Sequence, residues 1–371
     1  MLVYIIMLII SIICTYFYTK VNNKIGKIAL QIFAILPFII VSAIRYDIGT
    51  DYFYRYVPNY NTFAQGGVEK SLEPLFVLLI RACILISKDP TVLFVVTSII
   101  INTLIMITIF RYSKDPVISV LIYFVGSFYF QSMNIVRQFI GMAILLIGYR
   151  IVLLDSKKKY IYLACILVAT LFHTMCLVFA VALFLDKKVI RFKHLLIIIL
   201  LILILGGFLG DLVELVINNT PLNNITNINK YIKYFKTAGD LHLSAIIVEA
   251  GVYAFIYYMY KLGKESNKEV SKETIFFVNM QTIAVICTIM NVHFELFFRA
   301  TLLFSIFQVL SIPYFWYMNR DKKIRIGKYA ISTSVLTIII ICLLTSRLIY
   351  SNVIKQIEEV VPYKTIFEID K

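Results

Sequence analysis

"SAIRYDIGTDYFYRYVPNY", residues 42–60, closes an apolar run that begins near Ile28. Arg45, Asp47, Asp51 and Arg55 then arrive together, interleaved with Tyr46, Tyr52, Tyr54, Tyr56 and Tyr60. An apolar helix that stops abruptly at charges and tyrosines is the pattern of a chain leaving a membrane, since amphipathic rings favour the headgroup level. The question is whether the rest of the sequence obeys that reading.

It does. Of 371 residues, 60% are hydrophobic and only 15% charged, whereas soluble domains carry roughly 25% charged residues. Mean hydropathy is +0.87. Apolar runs of about 18–24 residues recur throughout, each long enough to cross a ~30 Å hydrocarbon layer as a helix. They are continuous rather than alternating, which excludes a β-barrel. We expect an all-α, polytopic transmembrane bundle forming a single domain over residues 1–371. The first segment, Leu2 to Tyr18, has no basic residue before it and reads as a retained helix rather than a signal peptide. Heavy use of Ile, Lys, Asn and Tyr points to an AT-rich bacterial genome; the expected location is the bacterial cytoplasmic membrane.

The net charge of +15 is not a nucleic-acid signature. Its lysines and arginines fall in short clusters between apolar runs: Lys20 to Lys27, Arg111-Lys114, Lys157 to Lys159, Lys187 to Lys193, Lys261 to Lys272 and Arg320 to Lys328. Basic short loops stay cytoplasmic. One path puts all of these clusters inside, with about ten spans near 2–19, 27–44, 91–110, 117–132, 136–154, 194–217, 244–261, 274–291, 296–317 and 328–348. Residues 45–90 and 218–243 are then outer loops. The apolar piece at 73–87 carries Arg81 at its middle, costly in lipid, so it reads as a short outer or re-entrant helix. Residues 160–185 join two inner clusters and read as a hairpin with its tip near His173. The alternative, one long crossing there, would put Lys261 to Lys272 outside.

Six cysteines are scattered singly through apolar segments, so neither a disulfide framework nor a zinc site is indicated. No HExxH is present, and His293 with Glu295 is too sparse a ligand set. No metal or cofactor is expected. "GGFLG" (206–210) reads as a small-residue packing motif.

The remaining charges gather at the predicted outer ends of spans: Arg45, Arg137, Glu249, Arg299 and Arg347, with Asp211 and Glu214. Charges at membrane depth normally face a polar cavity, although any one arginine can instead snorkel to the interface. Guanidinium forks match phosphate oxygens and stay charged. An outward pocket lined by Arg45, Arg137 and Arg299 would therefore suit a diphosphate. The tyrosines offer ring faces for sugars, or belong to the interfacial belt.

"IRYDIGTDYFYRY" (44–56), "EPLF" (73–76), "NIVRQFIGMAI" (134–144), "ATLFHTMCLV" (169–178) and "ELFFRA" (295–300) occur in that order. In them the chain resembles the EpsG-like group of Wzy-type polysaccharide polymerases. Gly141 stands where the family pattern leads us to expect alanine, and Met175-Cys176 replaces the usual small residues after the histidine. The resemblance implies polymerisation of undecaprenyl-diphosphate-linked oligosaccharide repeat units into capsular, exopolysaccharide or O-antigen-type glycan on the outer face. Both donor and acceptor would be lipid-linked. A chain-length regulator and other export proteins of the membrane are candidate partners. Such a glycosyl transfer needs cations on the leaving diphosphate and a base for the attacking hydroxyl. Arg45, Arg137 and Arg299 suit the first. Asp47, Asp51, Glu73 and His173 are candidates for the second, with an aspartate of the first block favoured. Tyr46, Tyr52, Tyr54, Gln138 and Glu295 are candidate sugar or acceptor contacts. A flippase of lipid-linked sugars would need its charges to reach the cytoplasmic half; an outward-facing glycan ligase would use the same parts as a polymerase.

Overall fold

The structure is a computed structural model that describes residues 1–69, 71–153, 159–219, 242–264, 270–326 and 329–368. Most of the predicted outer loop at 218–243, together with Lys157, Lys158 and Lys268, lies outside these residues. In chain order the helices begin with α1 (Leu2–Lys20), α2 (Lys24–Ala43), α3 (Val57–Ala64), α4 (Pro74–Ile86) and α5 (Thr91–Tyr112). They continue with α6 (Pro116–Val125), α7 (Phe128–Asn134), α8 (Val136–Gly148), α9 (Arg150–Leu153) and α10 (Lys159–Phe172). After a 3₁₀ helix at Thr174–Phe184 come α11 (Phe192–Asn218), α12 (Leu243–Lys264), α13 (Lys272–Met290), α14 (Phe297–Ser305), α15 (Gln308–Asn319) and α16 (Thr333–Leu348). A small antiparallel pair, Lys323–Ile326 with Tyr329–Ser332, precedes α16.

Among the described residues, eight helices are long and apolar enough to cross a membrane. The number is ten if α6 with α7, and α14 with α15, each form one bent span. These ten coincide with the runs expected from the sequence, and the chain is a multi-pass helical membrane protein. Helix ends follow local chemistry. Asn23 caps α2 by accepting from the Gly26 amide, Asp115 caps α6 from Ile118 N at 3.0 Å, and Ser271 caps α13 from Thr274 N at 3.1 Å. Such caps satisfy the donors a helix leaves unpaired at its start. The 52° bend between α6 and α7 falls at Ser127, which adopts φ +64°.

The chain groups into two compact units, Met1–Ala180 with Gln308–Lys371, and Val181–Phe307. In the first, α2 packs between α1 and α5, α5 meets α8, and α6 is flanked by α1, α15 and α16. The 73–87 piece is the short helix α4, with Arg81 exposed and near the Phe63 ring. The 160–185 piece turns back at His173, bringing Phe179 beside Tyr162 with ring centroids 6.2 Å apart. This turn-back is the hairpin shape expected there. Gly141 packs against it: a Cβ on Gly141 would stand 2.5 Å from Cys176 Sγ and 3.1 Å from the Ala169 carbonyl oxygen. The absence of a side chain at 141 thus leaves room for Cys176.

In the second unit, α13 packs against α11, α12 and α14. Buried Glu249 accepts from Gln281 Nε2 at 2.8 Å and Ser305 Oγ at 2.9 Å, so its carboxylate is held by polar side chains of two other helices. Asn279 bonds the turn at the 187–193 lysine cluster, donating to the Leu185 and Lys188 carbonyls and accepting from Ile190 N, each at 2.8 Å. On α11, Leu196, Ile197, Leu200, Leu201, Leu203 and Ile204 are all exposed, as a lipid-facing helix requires. Gly206 is a packing residue, since a Cβ there would lie 2.3 Å from the His293 ring.

Candidate functional site

At the end of α2 the chain must turn through the quoted block, and Gly49 makes this possible. It adopts φ +96°, and a Cβ would meet Asn134 Oδ1 at 2.4 Å; only glycine satisfies both constraints. The block continues into a π-helical turn, Tyr52–Tyr56, and then α3. It lies against Asn134, the last residue of α7. Thr50 Oγ1 is 3.4 Å from Asn134 Oδ1, and Tyr56 OH donates to the Asn134 carbonyl at 2.8 Å. Three residues on, Arg137 occupies the first turn of α8.

The Arg137 guanidinium donates to Glu73 Oε2, and the pair is 11% and 14% exposed. The other oxygen of Glu73 accepts from Thr174 N at 3.3 Å and lies 3.4 Å from Thr174 Oγ1, at the hairpin tip. One carboxylate thus joins "EPLF", "NIVRQ" and "LFHTM". Asp51 acts on Arg137 electrostatically and pairs with Arg55 at 3.4 Å. Asp47, at φ +51°, pairs with Lys364 at 3.2 Å. His173 is buried and accepts from Met175 N through Nδ1 at 3.3 Å, an arrangement that fixes the turn.

Arg45 differs from the expectation of an open phosphate ligand. It is 2% exposed. Its guanidinium donates to the Ser42 carbonyl and, at 3.2 Å, to the Met133 carbonyl, and it lies 4.7 Å from the centre of the Phe94 ring. These carbonyls belong to the last turns of α2 and α7. Apolar helices that end inside protein leave such oxygens unsatisfied, and a cation there also meets the negative end of the helix dipole. Arg45 fastens two helix ends.

The tyrosines divide. Tyr52 is buried and stacks on Phe94 at 4.3 Å, and Tyr60 donates to the Ser87 carbonyl at 2.7 Å. Tyr46 is partly exposed and edge-on to Tyr52, whereas Tyr54 is 79% exposed. Gln138 is fully buried, its amide 3.7 Å from Met142 Sδ. Glu295 is exposed and Arg299 partly exposed, and both belong to the second unit, at the start of α14. There Asn291 Oδ1 accepts from Phe298 N at 2.9 Å and shapes the entry to that helix.

The C-terminal tail is the part the sequence reading missed. Residues 356–366 run back across the block: Tyr46 N donates to Lys364 O at 3.0 Å, Gly49 N to Glu359 O at 3.2 Å, and Ile366 N to Ile44 O at 3.0 Å. Tyr363 OH reaches Val41 O at 2.8 Å, and Tyr4 OH reaches Val360 O at 2.9 Å. This delivers Glu358 to Asn134, whose amide donates to Glu358 Oε2 and, at 3.1 Å, to its carbonyl. The tail lacks any motif by which to find it; its one signal is a carboxylate pair, Glu358-Glu359, shortly after a span.

The EpsG family profile matches residues 28–365, from within α2 to the end of that tail. No curated protein and no solved structure matches the chain.

Proposed function

The chain belongs to the EpsG family, a Wzy-like polysaccharide polymerase family, and we propose that it extends a glycan by joining repeat units carried on a lipid diphosphate. Donor and acceptor are both lipid-linked, undecaprenyl diphosphate being the carrier that the family resemblance implies. The product is a capsular, exopolysaccharide or O-antigen-type chain, made at the outer face of the bacterial cytoplasmic membrane.

The observation that carries this reading is the convergence at Glu73. Three motifs widely separated in sequence meet there, with the block of residues 45–56 alongside. Packing alone has little use for an arginine, a glutamate and a hairpin tip in one partly exposed cluster at a helix start. Catalysis of diphosphate departure does. The charge that develops on the leaving diphosphate needs preorganised donors, and Arg137 is the guanidinium already oriented at this cluster. For Arg299 the same assignment rests on its motif. Arg45 serves by positioning, since it holds the helix ends from which the block and Asn134 emerge. Tyr54 and Tyr46 are the rings available to sugar.

The reaction is a displacement at the anomeric carbon. An acceptor hydroxyl attacks, the bond to the diphosphate breaks, and a carboxylate takes the hydroxyl proton. Purified protein given lipid-linked single units from a strain lacking it tests this. A ladder of lipid-linked oligomers is the expected product. Transport of the units across vesicles with no change in length would instead mark a flippase, and transfer onto a different acceptor lipid a ligase.

A further inference from the structure

We propose that Glu358, carried by the C-terminal tail, is a further catalytic residue: the carboxylate that takes the proton from the attacking hydroxyl. The assignment rests on the polymerase reading above and names a residue outside every motif that led to it.

The carboxylates near the block differ in the company they keep. Asp47 faces Lys364, Asp51 faces Arg55, and Glu73 faces Arg137. Each of these three carboxylates is already engaged by a cation. Glu358 is held differently. The donors on its carboxylate are the neutral side-chain amides of Asn134 and Gln131. They orient the group, and Arg347 is the cation that acts on it.

Its surroundings raise its affinity for a proton. Burial pushes the Glu358 carboxyl above its ordinary range, against the downward pull of the two amides and of Arg347. Asp51 adds to the rise. Arg347, at the end of α16, and Asp51, in the block, are thus the charged groups that act on it from the elements it packs against. A base whose proton affinity approaches the working pH is the efficient one. Asp51 stays paired with Arg55; Glu358 takes and releases the proton.

Position completes the case. Asn134 ties Glu358 to Thr50 on one side and, three residues on, leads to Arg137 on the other. Glu358 is partly exposed as a residue, and its carboxylate is held by the Asn134 and Gln131 amides beside the block. In the step, the hydroxyl oxygen bonds to the anomeric carbon. The bond from that carbon to the diphosphate breaks, its electron pair leaving with the diphosphate. The hydroxyl proton passes to Glu358 and then to water.

The test uses membranes containing the full-length protein, lipid-linked single units extracted from a deletion strain as substrate, and elongation rate measured against pH. The wild type is expected to show an acid limb above the usual carboxylate range. Glu358→Gln preserves size and an acceptor oxygen for Asn134; it should lower the rate ~100-fold or more and leave a residual rate without that limb. Glu358→Asp should retain a measurable rate with the limb present. Asp51→Asn removes the negative charge that favours protonation, so its limb should move to lower pH. A Glu358→Gln rate within a few-fold of wild type, or one that keeps the wild-type limb, would overturn the assignment and leave the polymerase reading standing. Absence of elongation by the wild type would overturn both.

Discussion

The Arg137 guanidinium and the Glu73 carboxylate form one hydrogen-bonded ion pair across 64 residues of chain, with the Phe76 ring 5.8 Å from the guanidinium carbon. A lysine at this position keeps the charge and loses the planar fork. Arg137→Lys should therefore shorten the glycan severely while the protein reaches the membrane at normal abundance, and Arg299→Lys should do the same. An arginine that merely snorkels tolerates lysine. Near-normal glycan length in both variants would contradict the diphosphate assignment. Glu73→Gln should in addition lower thermal stability in detergent, since it leaves the part-buried Arg137 guanidinium without its carboxylate partner.

Gly141→Ala should also lower thermal stability, because its new methyl meets Cys176 Sγ. Overpacking of this kind costs roughly 1–3 kcal/mol. Adding Cys176→Ala should recover part of the loss, but not all, because the Ala169 carbonyl oxygen stays in the way. Strict additivity of the two substitutions in thermal unfolding would show that the pair is not coupled.

Much of this was legible in the sequence, and the reason is physical. Among the described residues the apolar runs register as eight spanning helices, or ten with each bent pair as one span, because lipid demands continuous apolar helices of fixed length. The turn at His173 followed from requiring the lysine clusters to share one side. Arg45 was harder to assign. A guanidinium aimed at phosphate and one aimed at helix-end carbonyls have the same sequence signature, and only the fold puts Met133 O beside it. Tyr52 posed the same problem, since a sugar platform and a ring stacked on Phe94 read alike. Glu358 was missed for a different reason. Its importance comes from a long-range return of the tail onto Asn134, which no local pattern encodes.

The tail contacts also bear on topology. Residues 364–366 bond residues 44–46, so both emerge on one side of the membrane. Single cysteines at Tyr54 and Gln356, in a background without native cysteines, should both be modified by an impermeant thiol reagent in intact cells. A cysteine at Lys188 should react only after permeabilisation. Labelling of position 188 in intact cells, or opposite outcomes at 54 and 356, would contradict the outward assignment.

The most direct measurement of the central claim is the length of surface glycan in a strain lacking this protein. Polymerisation outside the membrane, after units have crossed it, predicts that single repeat units still reach the surface and that longer chains vanish. Reintroducing the wild-type chain should restore the full length distribution. Complete loss of surface units would instead mean that the protein carries them across, and an unchanged length distribution would mean that it does not join them.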